Sequence, residues 1–470
     1  MRLSPGPSLN NGAVAVEISE VLEATHGRLL RGPDQVAFAR LYVDSREVEP
    51  GGLFAALRGE ALDGHDFIQQ AIARGASGIL CERAPADTGV ASVIQVQDTK
   101  QALLDLTANR LQRLAVPIIA ITGSAGKTTT KELIAHVLGR RLRVHKSEGN
   151  LNTYTGIPMT VFQMSSSDRV LVVEYGMSHA GEIAELARIG PPDIAVVLNV
   201  GLAHVGFLGS IEAVAAAKLE LVQGLKPGGL AVLNADDPRV RAMSTASRRH
   251  VLFGVSAAAV VRAERIRLHG LEGSQFLLVT PRGSAEVYLR LPGQHSIANA
   301  LAAAAVALEF DFDASAIAAA LHGFTPPARR MNLVAGLQGA TIVDDCYNAS
   351  PGSMEAALQV LRLAPAGTTR VVVMGDMLEL GDHAGKAHDD AGATAGKSAD
   401  WVIALGEHSD RVVKGARKAG LKADRALTAD SVERAVELVR PLMSGHTQVL
   451  VKGSRGMRME RIVEALRAQP

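Results

Sequence analysis

Residues 122–130 read TGSAGKTTT and follow the apolar run VPIIAI. A strand ending at Thr122, a turn of small residues and a helix opening at Lys127 would form an anion cradle. Gly123 and Gly126 leave room for backbone N–H groups to point inward, with Ser124 and Ala125 between them. The helix N-terminus adds partial positive charge, Lys127 a full one, and Thr128 and Thr129 add hydroxyls, the first placed to reach a magnesium ion. The usual P-loop has a glycine five positions before its Gly-Lys pair. Here Ile121 holds that position and the nearest earlier glycine is Gly123, so the cradle is shortened. An ordinary strand-to-helix turn would also use the glycines. Gly-Lys-Thr-Thr at a helix start favours bound phosphate.

A magnesium-bound phosphate needs hard oxygen ligands. Glu174 ends the strand-like run RVLVVE, and His204 follows DIAVVLNV through GLA, so both stand at strand ends of one sheet. Taken singly, each is equally well a solvated or hydrogen-bonded structural residue. Lys218 lies in SIEAVAAAKLELV, a helix capped by Ser210, and helical propensity alone makes it a solvent-facing lysine. Further along, Asp344-Asp345 ends a strand and runs into CYNASPGSM, where such acids hold a ribose hydroxyl or a metal. Asn348, Ser350 and Ser353 also suit a turn and a helix start. Gly375-Asp376 repeats the strand-end pattern in VMGDMLELG. Lys452 and Arg455 in VKGSR are placed to clamp phosphate or carboxylate, with plain surface charge as the alternative.

These residues need scaffolds that bring strand ends together. Short strand-like runs (AFARLYVDS, GLFAAL, SGILCE, SVIQV) and the helix-periodic DTKQALLDLTANRLQRL, capped at Asp98, fill the first hundred or so residues. From Val116-Pro117 the pattern becomes strand–helix alternation with apolar strands, which predicts a parallel sheet covered on both faces. Residues 258–291 break this rhythm with alternating strands, SQFLLVT and AEVYLRL, around turns, which predicts a small antiparallel extension, and an Ala-rich helix from His295 closes the unit. After Pro326-Pro327, an expected hinge, ATIVDDCYN, RVVVMGD, DWVIALG and QVLVKGSR restart the alternation. The fold class is α/β with three domains. They are a mixed α/β substrate domain at 1–115, a P-loop-type parallel-sheet ATPase domain at 116–326, and a Rossmann-like domain at 327–470. Ligands are expected at the carboxyl edges, in the cleft between the last two.

The chain of 470 residues has 49 Lys+Arg against 48 Asp+Glu and only 3% aromatic residues, so neither a basic field nor stacking platforms point to nucleic acid. No apolar run is long enough for membrane insertion, and MRLSPGPSLNNGA lacks a signal pattern. Cys81 and Cys346 form no Cys-x-x-Cys pair. A cytoplasmic monomer is expected.

Together, TGSAGKTTT, EYGMSHAGEIAELA, LNVGLAHVGFLGS, NADD, GQHSIANALAAA, VDDCYNASPGSMEAAL, VMGDMLELG and VKGSRGMRME resemble the Mur ligases of peptidoglycan synthesis, across almost the whole chain. The D-D-x-Y-N-A and M-G-D-M-x-E-L-G blocks are most similar to the D-alanyl-D-alanine-adding member. The resemblance implies an ATP- and Mg²⁺-dependent ligase. It would phosphorylate the terminal carboxylate of UDP-N-acetylmuramoyl-tripeptide and pass the acyl group to the amine of D-Ala-D-Ala. It also implies roles by position. Lys127 and Thr128 match phosphate and magnesium contacts, Glu174 and His204 metal ligands, and Lys218 a lysine that several members carry as a carbamate. Asn299 matches an adenine contact, Arg330 a phosphate-side arginine and Asp345 a ribose-binding acid. Asp44, Ser45 and Arg46 with LRGEALDGHDF look like a UDP-sugar pocket, and Asn348, Ser350, Lys452 and Arg455 like the peptide side. Three sites depart from the family pattern: His295-Ser296 for His-Asn, Val205-Gly206 for Leu-Glu, and Ser350-Pro351 for Asn-Pro.

Another Mur-type amino-acid ligase or a folylpolyglutamate synthase would share the fold, but DDCYNASPGSM argues against both. A nicotinamide-dependent oxidoreductase needs a Gly-x-Gly-x-x-Gly turn, which no strand here offers. A nucleotide-gated binding protein would not need Lys127, Glu174 and His204 together.

Overall fold

The computed structural model describes residues 15–59, 62–87, 89 and 91–468. The opening MRLSPGPSLNNGA and Glu60 and Ala61 of LRGEALDGHDF lie outside the described residues.

Three larger sheets follow one another along the chain, beside a two-stranded pairing of Val16–Glu17 with Ala37–Phe38. The first has five strands in the spatial order Arg28–Arg31, Ser92–Gln95, Gly78–Cys81, Leu53–Ala55, Leu41–Tyr42. All its pairings are parallel except Arg28–Arg31 against Ser92–Gln95. The helix Thr99–Leu114 leaves this unit with the Asp98 carboxylate accepting from the N–H of Gln101, as its sequence predicts. It ends at Ala115 in the left-handed region, two residues before the Pro117 that leads into the next strand.

The second sheet has nine strands. Within it Ile118–Thr122, fully buried, is flanked in parallel by Val170–Glu174 and Ile194–Val197. Such uniformly apolar strands form because helices cover both faces. On one face, Gln294–Glu309 is buried from Ser296 through Ala307 except at Ala298, and its alanines let it pack closely on Lys127–Leu138. The far edge is the antiparallel set Val261–Leu268, Ser274–Thr280 and Gly283–Leu289. Ser274–Thr280 alternates buried and half-buried residues with the two-residue period of a strand, although its sequence SQFLLVT does not alternate in polarity.

The third sheet runs in the order Asn332–Ala335, Thr341–Asp344, Thr447–Lys452, Thr369–Met374, Trp401–Leu405, Ala426–Ala429. The four inner strands are the four apolar runs read from sequence, all parallel. Both edge strands were not legible. The first pairs antiparallel with its neighbour, and its Leu333 is half exposed.

Candidate functional site

The carboxyl ends of Ile118–Thr122, Val170–Glu174 and Ile194–Val197 meet the carboxyl ends of the third sheet across one cavity of about 830 Å³. The loop 124–129 forms one wall. Gly126 caps the helix Lys127–Leu138 at φ +86°, and no side chain caps that end, so its first N–H groups are left for a ligand. A Cβ at Gly126 would lie 2.5 Å from Oδ1 of Asn299, the buried residue carried over as an adenine contact. Gly126→Ala therefore meets both the left-handed penalty of about 1–2 kcal/mol and this clash. The expected result is at least a tenfold loss of ADP affinity by titration calorimetry, with Asn299 displaced; wild-type affinity would show that the loop does not hold phosphate.

Asn199 braces the loop. Its Oδ1 accepts from Ala125 N (2.8 Å), its Nδ2 donates to Ala125 O (3.1 Å) and its own carbonyl accepts from Ser124 N (3.1 Å). Ser124 Oγ accepts from Gly201 N at 2.8 Å. Sequence reasoning passed over Asn199, although a strand-end asparagine in LNVG was the available signal. Lys127 Nζ donates to Gly123 O at 2.7 Å, which folds the ammonium back over the turn. Burial lowers the pKa of Lys127, and the Glu174 carboxylate opposes that shift.

Glu174 is buried, and its Oε1 has no hydrogen bond among the described residues. Lys131 Nζ stands 3.5 Å from that oxygen and donates to the Ser147 carbonyl. Lys131, fully buried, is a second residue that the sequence reading missed. It falls three and seven residues before Ile134 and Leu138 on the buried face of its helix, a spacing that marks an inward lysine. Thr128 Oγ1 accepts from Arg330 Nη2 at 2.7 Å, a link from the second sheet's unit to the third's. The Arg330 guanidinium also lies 4.2 Å from the Tyr347 ring centroid. Arg329 and Met331, on either side of it, both have positive φ, and such strain persists only where the surroundings hold it.

Lys218 is 1% exposed and does not line the cavity. It lies on the buried stripe Val214, Ala217, Lys218, Leu221, Val222 of its helix, so the solvent-facing reading is corrected. Burial and the neighbouring Lys127 drive its pKa well below the usual lysine value, and among the described residues it has no hydrogen-bond or ion-pair partner. The Ser210 cap stands as read, accepting from Ala213 N at 3.1 Å. His204, at φ +62°, lines the cavity, with its Nδ1 2.7 Å from Oε2 of Glu379. That contact, ahead of the attraction of Lys127, holds the Glu379 carboxyl below its usual range despite partial burial.

From the third sheet, Asp345 and Lys452 reach the cavity already paired. Lys452 Nζ, 2% exposed, donates to Asp345 Oδ2 (2.6 Å) and to Asn348 O (3.0 Å). The other Asp345 oxygen accepts from Met331 N at 3.2 Å. Lys452 is thus a buried counter-ion rather than surface charge. Ser350 caps the helix Pro351–Arg362 in a capping box with Ser353, and Arg455 pairs with Glu460 at 2.8 Å. The Ser296 hydroxyl donates to Pro292 O at 2.7 Å, so the departure from His-Asn serves its own helix start. Ser45 and Arg46 stay with the first sheet, outside the cavity. The Ser45 hydroxyl donates to Gln70 and the exposed Arg46 pairs with Asp44.

The donors suit a magnesium ion that arrives with a nucleotide. They are few and mostly oxygen, and one belongs to a buried carboxylate lacking a hydrogen bond. No cluster of three His, Cys, Asp or Glu makes an independent metal centre among the described residues. A cavity with an anion cradle on one wall and charged strand ends on the other can hold a nucleotide and an acceptor together.

Three family models match in succession: the Mur ligase family catalytic domain at residues 38–116, the Mur ligase middle domain at 121–307 and the Mur ligase glutamate ligase domain at 329–455. The chain is 34% identical over 457 residues to the UDP-N-acetylmuramoyl-tripeptide–D-alanyl-D-alanine ligase of Bacillus subtilis, covering 96% of this chain and 98% of that protein. It is similar to a crystal structure of MurF from Acinetobacter baumannii, with a TM-score of 0.88 and 32% identity over 96% of this chain and 99% of that one. MurF ligase from Thermotoga maritima in complex with ADP gives a TM-score of 0.80 at 28% identity, covering 91% and 96%.

Proposed function

The chain belongs to the Mur ligase family, and on that premise we infer that it joins D-alanyl-D-alanine to UDP-N-acetylmuramoyl-tripeptide, with ATP cleaved to ADP and phosphate. The observation that carries this reading is one shared cavity between the phosphate cradle and the DDCYNASPGSM and VKGSR strand ends. A ligase of this class must bring a nucleotide phosphate, a carboxylate and an amine to one place.

A terminal carboxylate oxygen of the tripeptide attacks the γ-phosphorus, and ADP departs. The dipeptide amine then adds to the acyl carbon, loses a proton, and the tetrahedral intermediate expels phosphate as the amide forms. The loop N–H groups and Lys127 hold the phosphates and offset charge that develops during transfer. Arg330, fixed on Tyr347 and reaching Thr128, approaches the same phosphates from the other sheet. Closing the units over the acyl phosphate excludes water. Thr128, Glu174, His204 and a carbamate on Lys218 would hold magnesium, which supplies charge neutralisation on the transferring phosphoryl group. The carbamate forms when the neutral Lys218 amine adds to CO₂ and releases a proton; the lowered pKa and unpartnered Nζ suit that step. We assign Asn299 to adenine and Asp345 to ribose, and Ser45 and Arg46 to the UDP end. Asn348, Ser350, Lys452 and Arg455 are assigned to the peptide side.

No helix among the described residues is long and apolar enough to cross a membrane. We place the enzyme in the cytoplasm, where ATP is supplied, and a cavity built within one chain fits a monomer.

The test is ADP release with UDP-N-acetylmuramoyl-tripeptide, with and without D-Ala-D-Ala. Release should depend on both. Independence from the dipeptide would overturn the amine assignment, and an equal rate with ATP alone would overturn the ligase.

A further inference from the structure

The segment Met377–Gly381 leaves the strand Thr369–Met374 and presses against the chain that follows His204. Gly206 N donates to the Glu379 carbonyl at 3.0 Å. A Cβ on Gly206 would lie 2.7 Å from Gly381 N and 2.9 Å from Glu379 O; one on Gly381, itself at φ +52°, would lie 2.9 Å from Gly206 Cα. Two glycines therefore face each other across the junction of two units, and any side chain on either would push them apart. The carboxylate nearest His204 here comes from the opposite unit: Glu379 Oε2, 2.7 Å from His204 Nδ1. Glu379 holds φ +65°, a conformation costing a non-glycine residue roughly 1 kcal/mol or more. A glutamate kept at strain where glycine would be relaxed implies that its side chain is in use.

We propose that Glu379 is a positioning residue for phosphoryl transfer, delivered by the third sheet's unit through the Gly206–Gly381 contact to hold the His204 ring through the 2.7 Å approach of its carboxylate to Nδ1, a buried atom with no in-line hydrogen bond among the described residues. An ionised carboxylate only accepts, so this 2.7 Å approach favours the tautomer with the proton on Nδ1 and the free lone pair on Nε2. Nε2 is then the nitrogen available to phosphate or metal chemistry. A carboxylate in this position fixes the orientation of a histidine ring. The central site is thus complete only when the third unit is docked, which couples closure to competence. The proposal rests on His204 serving the phosphate end of the proposed ligase.

The experiment compares full-length wild type with Glu379→Gly, Glu379→Gln and Gly206→Ala. Glu379→Gly removes the carboxylate while relaxing the backbone, so its Tm should equal or exceed that of wild type. The ¹⁵N resonances of His204 in histidine-labelled protein, assigned by difference from His204→Gln, report the tautomer without any nucleotide or metal. Wild type should show the Nδ1–H form, and Glu379→Gly a shift toward Nε2–H. Its kcat should fall about 10- to 100-fold with little change in KM for the UDP substrate. Glu379→Gln retains an acceptor oxygen and should recover part of both signals. Gly206→Ala should move His204 in the same direction by separating the segments. Unchanged His204 resonances in Glu379→Gly, or kcat within twofold of wild type, would overturn the proposal. Failure of the ligase reading would be separate, since wild type would then lack dipeptide-dependent ADP release while keeping its His204 spectrum.

Discussion

Lys127→Ala lowers kcat for dipeptide-dependent ADP release by about a hundred- to a thousandfold while the fold persists. The Lys127 ammonium is the one full charge carried by the loop, and it lies over Gly123 O with Glu174 as its nearest opposing charge. Charge offset at a transferring phosphoryl group is the main protein contribution to this reaction class, and one preorganised donor in a shielded site contributes about a hundred- to a thousandfold. Stability should change little, because burial lowers the Lys127 pKa and its one hydrogen bond is to a carbonyl. Single-turnover ADP release and a thermal melt check both halves. Full activity in this variant would refute the role of the loop.

The second expectation separates stability from activity more sharply. Lys218→Met preserves the length and apolar stem of the side chain and removes an amine that has no partner among the described residues. Replacing an uncompensated buried basic group by an apolar isostere is neutral or stabilising, so Tm should hold or rise. Turnover should nevertheless fall at least about a hundredfold, because the carbamate that would hold the charge-neutralising magnesium is lost. CO₂-free buffer should reproduce the loss in wild type and leave the variant unaffected. A Tm that falls together with activity would make Lys218 a structural residue.

Legibility followed burial. The strands Val170–Glu174, Ile194–Val197, Thr369–Met374 and Trp401–Leu405 are apolar on both faces, and that pattern survives in sequence because helices cover both sides. Val144–Lys146, three half-buried residues at a sheet edge, carries no comparable pattern. Asn332–Ala335 pairs on one side only, and half its residues face solvent. Lys218 and Lys131 show the limit for single residues. Helical spacing puts each on a buried stripe, but lysine is so rarely buried that composition outweighs spacing. Lys452, open to reading as surface charge, is buried against Asp345.

The sequence by itself determined the chemistry on offer. A shortened cradle at a strand-to-helix turn, acids and basic residues at strand ends, and blocks similar to those of the D-alanyl-D-alanine-adding Mur ligases are all local patterns, set by chain order and backbone geometry. Tertiary structure alone decided who meets whom. Asn199 braces the cradle, Arg330 reaches Thr128 from another unit, and Glu379 arrives at His204 through two glycines 175 residues apart in sequence numbering, Gly206 and Gly381. Contacts of that kind depend on how separately folded sheets dock, and no periodicity within either segment encodes the distance between them.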